Sequence, residues 1–195
     1  MPRTKRLLCD DSVYHVMQKG NNGLKLCKDH EDFSMLLKCI KKHLRKFKIS
    51  VYHYCLMATH LHLLLKLCSK DELAKFMQGL LQSYGFYYKR KYGYRGYLYQ
   101  NRYKSKKISN DEYLLECGRY IERNPVRAGI VKTPDEYKWS SCSHYTQGDY
   151  DGIITDDFLY GNFGKNLKDR QCGYKEYVST SRPYEDIIDK EFSIK

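Results

Sequence analysis

Two runs with the residue content of strands, Ile49 to Met57 and His60 to Leu65, are separated by Ala58 and Thr59 alone. A two-residue connection cannot carry a crossover, so the pair can close only as an antiparallel hairpin, which constrains everything placed around it. The first run alternates Val51, His53, Cys55 and Met57 against Tyr52, Tyr54 and Leu56. In the second, successive side chains point to opposite faces, so His60 and His62 share one face while Leu61 and Leu63 take the other. Two imidazoles on one face of a rigid strand supply half of a divalent-metal site, which needs one or two more ligands. The same pair also fits a purely structural role, as two hydrogen-bonded histidines on a half-exposed sheet.

The hairpin is flanked by helical periodicity. Phe33, Leu36, Leu37, Ile40, Leu44 and Phe47 fall on one stripe between Asp29 and Lys48. After the hairpin, Asp71 and Glu72 open a second amphipathic helix through Leu73, Phe76, Leu80, Tyr84 and Tyr88, with acids in the first turn as the helix dipole prefers. Ser12 to Gln18 reads as a first strand closed by the turn residues Gly20-Asn21-Asn22-Gly23, and Tyr97 to Tyr103 as a fourth. His15 is a candidate to share the surface of the histidine pair, although nothing in its spacing demands a metal and a structural histidine is the simpler reading. The order strand–helix–strand–strand–helix–strand predicts an α+β fold with a ferredoxin-like palm, an antiparallel βαββαβ sheet with both helices on one face and the other face free for a site.

A third helix is expected from Ser109-Asn110-Asp111-Glu112, with Asn110 or Ser109 as cap and Pro125 as its stop. Tyr113, Tyr120 and Asn124 fall on one stripe of it. A packed tyrosine and a helix-ending asparagine describe Tyr120 and Asn124 equally well. Pro134 to Ser141 suggests a short turn of helix, and residues 146–195, with only short apolar patches, suggest a loosely packed appendage to a domain spanning 1–145.

Composition narrows the partner. Lys and Arg number 35 against 23 Asp and Glu, a net charge of +12, which points to a polyanion, nucleic acid before membrane headgroups. Many of the 20 tyrosines stand beside Lys or Arg, as in Tyr87-Tyr88-Lys89-Arg90-Lys91-Tyr92, an interleaving suited to stacking on unpaired bases. Most individual tyrosines are equally at home at a core edge with a wet hydroxyl. The eight cysteines include no Cys-x-x-Cys pair, so neither a zinc knuckle nor a disulfide frame is expected. No apolar run approaches the roughly 18 residues of a membrane span, and the basic run Met1 to Asp10 lacks the apolar stretch of a signal peptide. The expectation is a cytoplasmic protein with no membrane partner.

Five segments together resemble one family. They are Tyr14-His15-Val16-Met17-Gln18-Lys19-Gly20-Asn21, Leu56-Met57-Ala58-Thr59-His60-Leu61-His62-Leu63-Leu64, Gly96-Tyr97-Leu98-Tyr99-Gln100-Asn101-Arg102-Tyr103, Tyr120-Ile121-Glu122-Arg123-Asn124-Pro125-Val126-Arg127-Ala128-Gly129 and Tyr137-Lys138-Trp139-Ser140-Ser141. In this order they resemble the single-tyrosine HUH transposases, of the REP-associated tyrosine transposase type, over roughly residues 12 to 145. Ala58-Thr59 stands where the family usually has Pro-Asn, Lys19 where Arg is commoner and Tyr99 where Trp is; none of these removes a reactive group.

The resemblance implies that His60 and His62 are metal ligands, that Asn124 is a third, and that Tyr120 is the nucleophile. It implies Mg²⁺ or Mn²⁺ as cofactor and single-stranded or hairpin DNA as partner, cleaved near hairpins through a 5′-phosphotyrosine and rejoined. Many members act as dimers, so a homodimer is compatible with it. Two rival classes share the charge and the fold: a non-catalytic module binding single-stranded nucleic acid by stacking, and a metal-dependent nuclease that uses water.

Overall fold

The computed structural model describes residues 8–192, so most of the basic N-terminal run lies outside the described residues. Along the chain come β1 (Ser12–Lys19), α1 (His30–Leu44), β2 (Ile49–Leu56), β3 (His60–Leu67), α2 (Lys70–Tyr92), β4 (Lys104–Lys107), α3 (Asp111–Arg127), α4 (Cys142–Gln147), α5 (Leu167–Ser179) and α6 (Tyr184–Phe192). The strands form one sheet in the order β2-β3-β1-β4, and every pairing is antiparallel. This is the expected α+β, ferredoxin-like palm. No helix among the described residues is long and apolar enough to cross a membrane.

The alternation of β3 places Leu61, Leu63 and Leu65 against Ile40 of α1 and Phe76 of α2, in one buried cluster. Each such leucine contributes about 2 kcal/mol on full burial. In β2 the alternation is interrupted: the pairing with β3 shifts between Val51 and His53. Val51 therefore joins Tyr54 and Leu56 under α1 and α2, while Tyr52 and Cys55 pack on the opposite face.

Four features differ from the sequence-based expectations. The fourth strand is Lys104–Lys107, downstream of Tyr97–Tyr103, which makes only one bridge, Gly20 to Tyr99. Asn101 takes a positive φ of 58° there, a left-handed conformation that breaks extended pairing. The sheet face opposite α1 and α2 is covered, because Leu114, Cys117 and Tyr120 of α3 and Ile188 and Phe192 of α6 pack on Met17, Cys55 and Leu64. Pro125 lies inside α3. A proline lacks the N–H that would bond the carbonyl of Ile121, and the Asn124 side chain supplies a substitute, donating Nδ2 to Ile121 O at 3.4 Å and to Tyr120 O at 2.9 Å. Finally, the segment expected to pack loosely feeds the core with Ile153, Tyr160, Tyr174 and Val178.

α3 begins as expected at an Asn110 cap, which accepts from Tyr113 N at 2.8 Å. Its inner side is pinned by Glu122, whose carboxylate is fully buried. Oε1 meets His53 Nδ1 of β2 at 2.9 Å and accepts from Ser141 Oγ at 2.5 Å; Oε2 accepts from the Tyr174 hydroxyl at 2.9 Å. Burial alone pulls the pKa of His53 down, but Glu122 and Asp157 outweigh it and raise it to about 9. A raised folded-state pKa gives stability that is complete below the ordinary histidine value and fades as pH rises through about 9. Thermal melts should therefore show an alkaline loss in wild type that is missing in His53→Gln. The variant should also be less stable at neutral pH by about 3 kcal/mol, because Glu122 is left buried without its cation. Identical pH slopes for the two proteins would overturn this account of the pair.

Candidate active site

β3 starts immediately after the Ala58-Thr59 turn, so His60 sits at the mouth of the hairpin and His62 one pleat deeper. His62 is fully buried; His60 is partly exposed. Their ring centroids are 5.1 Å apart with the planes nearly perpendicular. β1 pairs with β3 in a register that sets Met17 opposite His62 and Lys19 opposite His60. His15 reaches the same face from β1, with its Nε2 2.8 Å from Nδ1 of His62. His60 Nδ1 lies 3.0 Å from the Thr59 hydroxyl.

These contacts use one nitrogen of each ring in the pair. Nε2 of His60 and Nε2 of His62 are both buried without a hydrogen-bond partner. Buried polar atoms are normally satisfied, so two adjacent orphans on one strand call for a ligand. The protonation state suits one. Burial pushes His60 down to about 4, with the nearby Asn124 side chain offsetting part of the shift and the Lys19 charge adding to it. Burial, followed by the neighbouring His15 and His60, holds His62 well below the ordinary range. Neutral imidazoles with an unshared Nε2 pair are the form that ligates metals. The donors therefore fit a divalent ion, given a further oxygen ligand. Among the described residues no group of three or more His, Cys, Asp or Glu side chains could hold a metal, so a third ligand would be another kind of oxygen donor, such as an amide, a hydroxyl, water or the substrate.

Asn124 is the amide at hand. With Nδ2 committed to helix carbonyls, its Oδ1 is the end left to accept or ligate. The two readings of this residue, helix repair and ligation, use different atoms and do not exclude one another.

Tyr120, one turn before Asn124 on α3, brings its ring to 5.7 Å from His62 and 5.9 Å from His15, between centroids. Its hydroxyl is engaged by α6, donating to Asp189 Oδ1 at 2.8 Å. The Tyr120 side chain is fully buried. Its phenol is raised in pKa by burial and then by Asp189, while the Arg127 guanidinium, 5.2 Å from the ring centroid, pulls it down. Arg127 also forms an ion pair with Asp189.

The partners of Tyr120 on α6 lie outside the motifs that drew attention in the sequence. Glu185 and Asp189 hold the stripe Arg119, Arg123 and Arg127 of α3, with Arg123 Nε donating to Glu185 at 2.7 Å. Phe192 packs 4.1 Å from His15, between centroids. The spacing Glu185, Ile188, Asp189, Phe192 is one helical face, and that periodicity is the sequence signal that could have found this cover. Nitration by tetranitromethane, read by peptide mass mapping, should spare Tyr120 in wild type. It should modify Tyr120 in Asp189→Ala/Phe192→Ala, where the carboxylate that binds the phenol and the ring packed beside it on His15 are both gone. Equal protection in the two proteins would show that α6 is not what shields the phenol.

Residues 9–124 match the family model described as "Transposase IS200 like". No curated protein matches the chain. Among solved structures, the fold is similar to a REP-associated tyrosine transposase bound to a REP hairpin, with a TM-score of 0.64 at 19% identity over 81% of this chain and 96% of that one. A Deinococcus radiodurans protein described as a transposase gives a TM-score of 0.43 at 15% identity over 66% of this chain and 92% of that one. The tRNA(His) guanylyltransferase of Saccharomyces cerevisiae gives 0.42 at 11% identity over 92% and 82%. The last two superpose too loosely to carry an argument.

Proposed function

The chain belongs to the IS200-like transposase family, and from that membership we propose that it is a metal-dependent transesterase of single-stranded DNA that cleaves and rejoins beside hairpins through a phosphotyrosine at Tyr120. The observation that carries this reading is the pair of buried, unpartnered Nε2 atoms of His60 and His62 next to a tyrosine ring. Neither rival class needs both features. A stacking module has no use for two orphaned imidazole nitrogens, and a water-using nuclease has none for the phenol.

His60 and His62, with Oδ1 of Asn124, would hold Mg²⁺ or Mn²⁺. Once bound, such an ion neutralises phosphate charge and polarises the P–O bonds. The protein's own groups supply the rest. Tyr120 Oη attacks phosphorus, the bond from phosphorus to the 3′ oxygen breaks, and the phenol proton ends on that oxygen. The product is a 5′-phosphotyrosine and a free 3′ hydroxyl, with the number of phosphoester bonds unchanged, so rejoining needs no added energy source. His15 orients His62 through the bond to its Nδ1 and thereby keeps Nε2 directed into the site.

The arrangement described above is a closed one, because α6 must withdraw before Tyr120 can meet a phosphate. Withdrawal changes the phenol in the useful direction. It removes Asp189, which raises the pKa, and leaves Arg127, which lowers it. Arg127 freed from Asp189 is also a phosphate ligand of suitable geometry. The net charge of +12 supports an anionic partner, and the similar REP-associated transposase, bound to a hairpin, suggests hairpin DNA as its class.

Incubation of wild type with single-stranded DNA and Mg²⁺ or Mn²⁺ should give an adduct that survives denaturation, sits on the Tyr120 peptide and disappears on chelation. Tyr120→Phe should bind DNA and form none; an adduct on another tyrosine would falsify the assignment. His60→Ala and His62→Ala should each slow cleavage by about 10²-fold or more, with DNA binding retained. Loss of Mn²⁺ binding by calorimetry in those two variants tests the ligand assignment without recourse to activity. Affinity should fall with salt at a log–log slope of roughly −0.7 per phosphate neutralised, and a flat response would remove the case for a polyanionic partner.

A further inference from the structure

The far end of α2 and the chain that follows it frame an open groove of about 430 Å³, within the roughly 300–1,000 Å³ range of small-ligand sites. Gln82, Phe86 and Lys89 line it from α2, and Tyr97, Leu98 and Asn101 from the segment before β4. Two of these are large rings standing in solvent, Phe86 at 75% and Tyr97 at 86% exposure. A single exposed ring needs no explanation, but two flanking one groove do. Gly85 lies on the wall between them. Glycine disfavours a helix interior, and packing does not require it here, since a Cβ would meet only Tyr99, at 3.9 Å.

The groove is joined to the candidate active site by chain and by charge. Asn101 lines both it and a second cavity of about 220 Å³, walled by Lys19, Gln100, Arg102 and Lys104 among others. The segment is tied to the end of β1 by Gln100 N donating to Lys19 O at 2.9 Å and by Asn21 N donating to Leu98 O at 2.9 Å. Lys19 in turn stands opposite His60 in the sheet. From the histidine pair outward, the surface therefore runs from basic side chains at Lys19, Arg102 and Lys104 to rings and amides at the groove.

We propose that the groove between Phe86 and Tyr97 binds an unpaired nucleobase of the DNA strand whose backbone follows Lys19, Arg102 and Lys104 to the histidine pair. The inference rests on the function proposed above and adds a base-binding subsite to it. The chemistry selects this occupant. Exposed rings stack on any base, because every base has a π face. The amides of Gln82 and Asn101 can pair with base edges, and Lys89 with an adjoining phosphate. An apolar peptide would use the rings but would draw nothing from the positive charge along the approach.

The test uses the whole chain and two fluorescent strands of equal length, an oligothymidylate of about 20 nucleotides and its abasic analogue, which keeps every phosphate and lacks the bases. Wild type should bind the thymidylate more tightly than the abasic strand. Phe86→Ala and Tyr97→Ala should each weaken thymidylate binding about tenfold and leave abasic binding and the salt slope unchanged, with unaltered melting temperatures. Tyr97→Phe keeps the ring and should retain affinity. A photoreactive 4-thiothymidine strand should crosslink to peptides containing Phe86 or Tyr97. Thymidylate binding unchanged in both alanine variants, or equal losses on both strands, would overturn the base-binding assignment. The two readings fail separately: absence of a Tyr120 adduct in wild type sinks the transesterase, whereas base-dependent binding that tracks Phe86 and Tyr97 upholds the groove in either case.

Discussion

Glu122 has no exposed surface and accepts from three different parts of the chain: His53 on β2, Ser141 before α4 and Tyr174 on α5. A carboxylate in that position is expensive to bury unless its partners are complete. The protonated His53, itself near Asp157, supplies the charge. This interaction sets the rotation of α3 about its own axis. Residues two apart on a helix point about 200° apart, so anchoring Glu122 toward β2 and the C-terminal helices turns Tyr120 and Asn124 together to the other side. That side faces β1 and β3, where His15 and His62 lie. The geometry of the candidate site thus depends on an ion pair that takes no part in its chemistry.

A second consequence follows from where α3 lies. An antiparallel sheet with both connecting helices on one face leaves the other exposed, and the histidines on it would be solvated and unremarkable ligands. Here α3 and α6 close that face, and desolvation depresses His15, His60 and His62 alike. The cost of keeping imidazoles dry falls on the protonated form, so the site is held neutral and nucleophilic at nitrogen well below neutral pH. The same enclosure acts against the tyrosine, because it disfavours the phenolate that the proposed attack would require. One environment cannot favour both groups without a charge that tells them apart. Arg127 is that charge, and in this arrangement it is engaged by Asp189.

How much of this was legible in the sequence follows from which forces each segment reports. The palm was readable because β3 and the helices carry their periodicity in long apolar side chains, and because a two-residue connection admits one geometry. The His60 and His62 pair was readable for the same reason, as strand alternation places it without tertiary information. β4 was not, since Lys104-Ser105-Lys106-Lys107 has none of the residues that mark a strand. It is an edge strand paired with β1 alone, and lysines are suited to an edge that must not recruit another chain. Pro125 misled because the rule for proline is local. The remedy, a side-chain amide standing in for a lost N–H, sits one residue earlier and is visible only once Asn124 is seen turned back onto its own helix. The cover by α6 was hidden because its grip is ionic. Glu185 and Asp189 find Arg119, Arg123 and Arg127 across more than sixty residues of sequence, and although each segment carries its own four-residue period, nothing in either one names the other as its partner.

The same ionic grip would let a helix cover the candidate site without sealing it permanently. Burial opposes the charge on Asp189, yet its hydrogen bonds from Arg127 and Tyr120 prevail and hold its pKa down. Such a carboxylate stays ionised near the surface of the protein, where salt and competing anions weaken its hold. A phosphate offers the same arginines the same kind of partner with more oxygens and more charge. The apolar part of the contact, Ile188 and Phe192 against the sheet, is indifferent to anions and favours return once the anion leaves. On the function proposed above, opening and substrate binding would be a single exchange of anions at Arg127, the partly exposed end of the stripe, which Asp189 satisfies in the closed form.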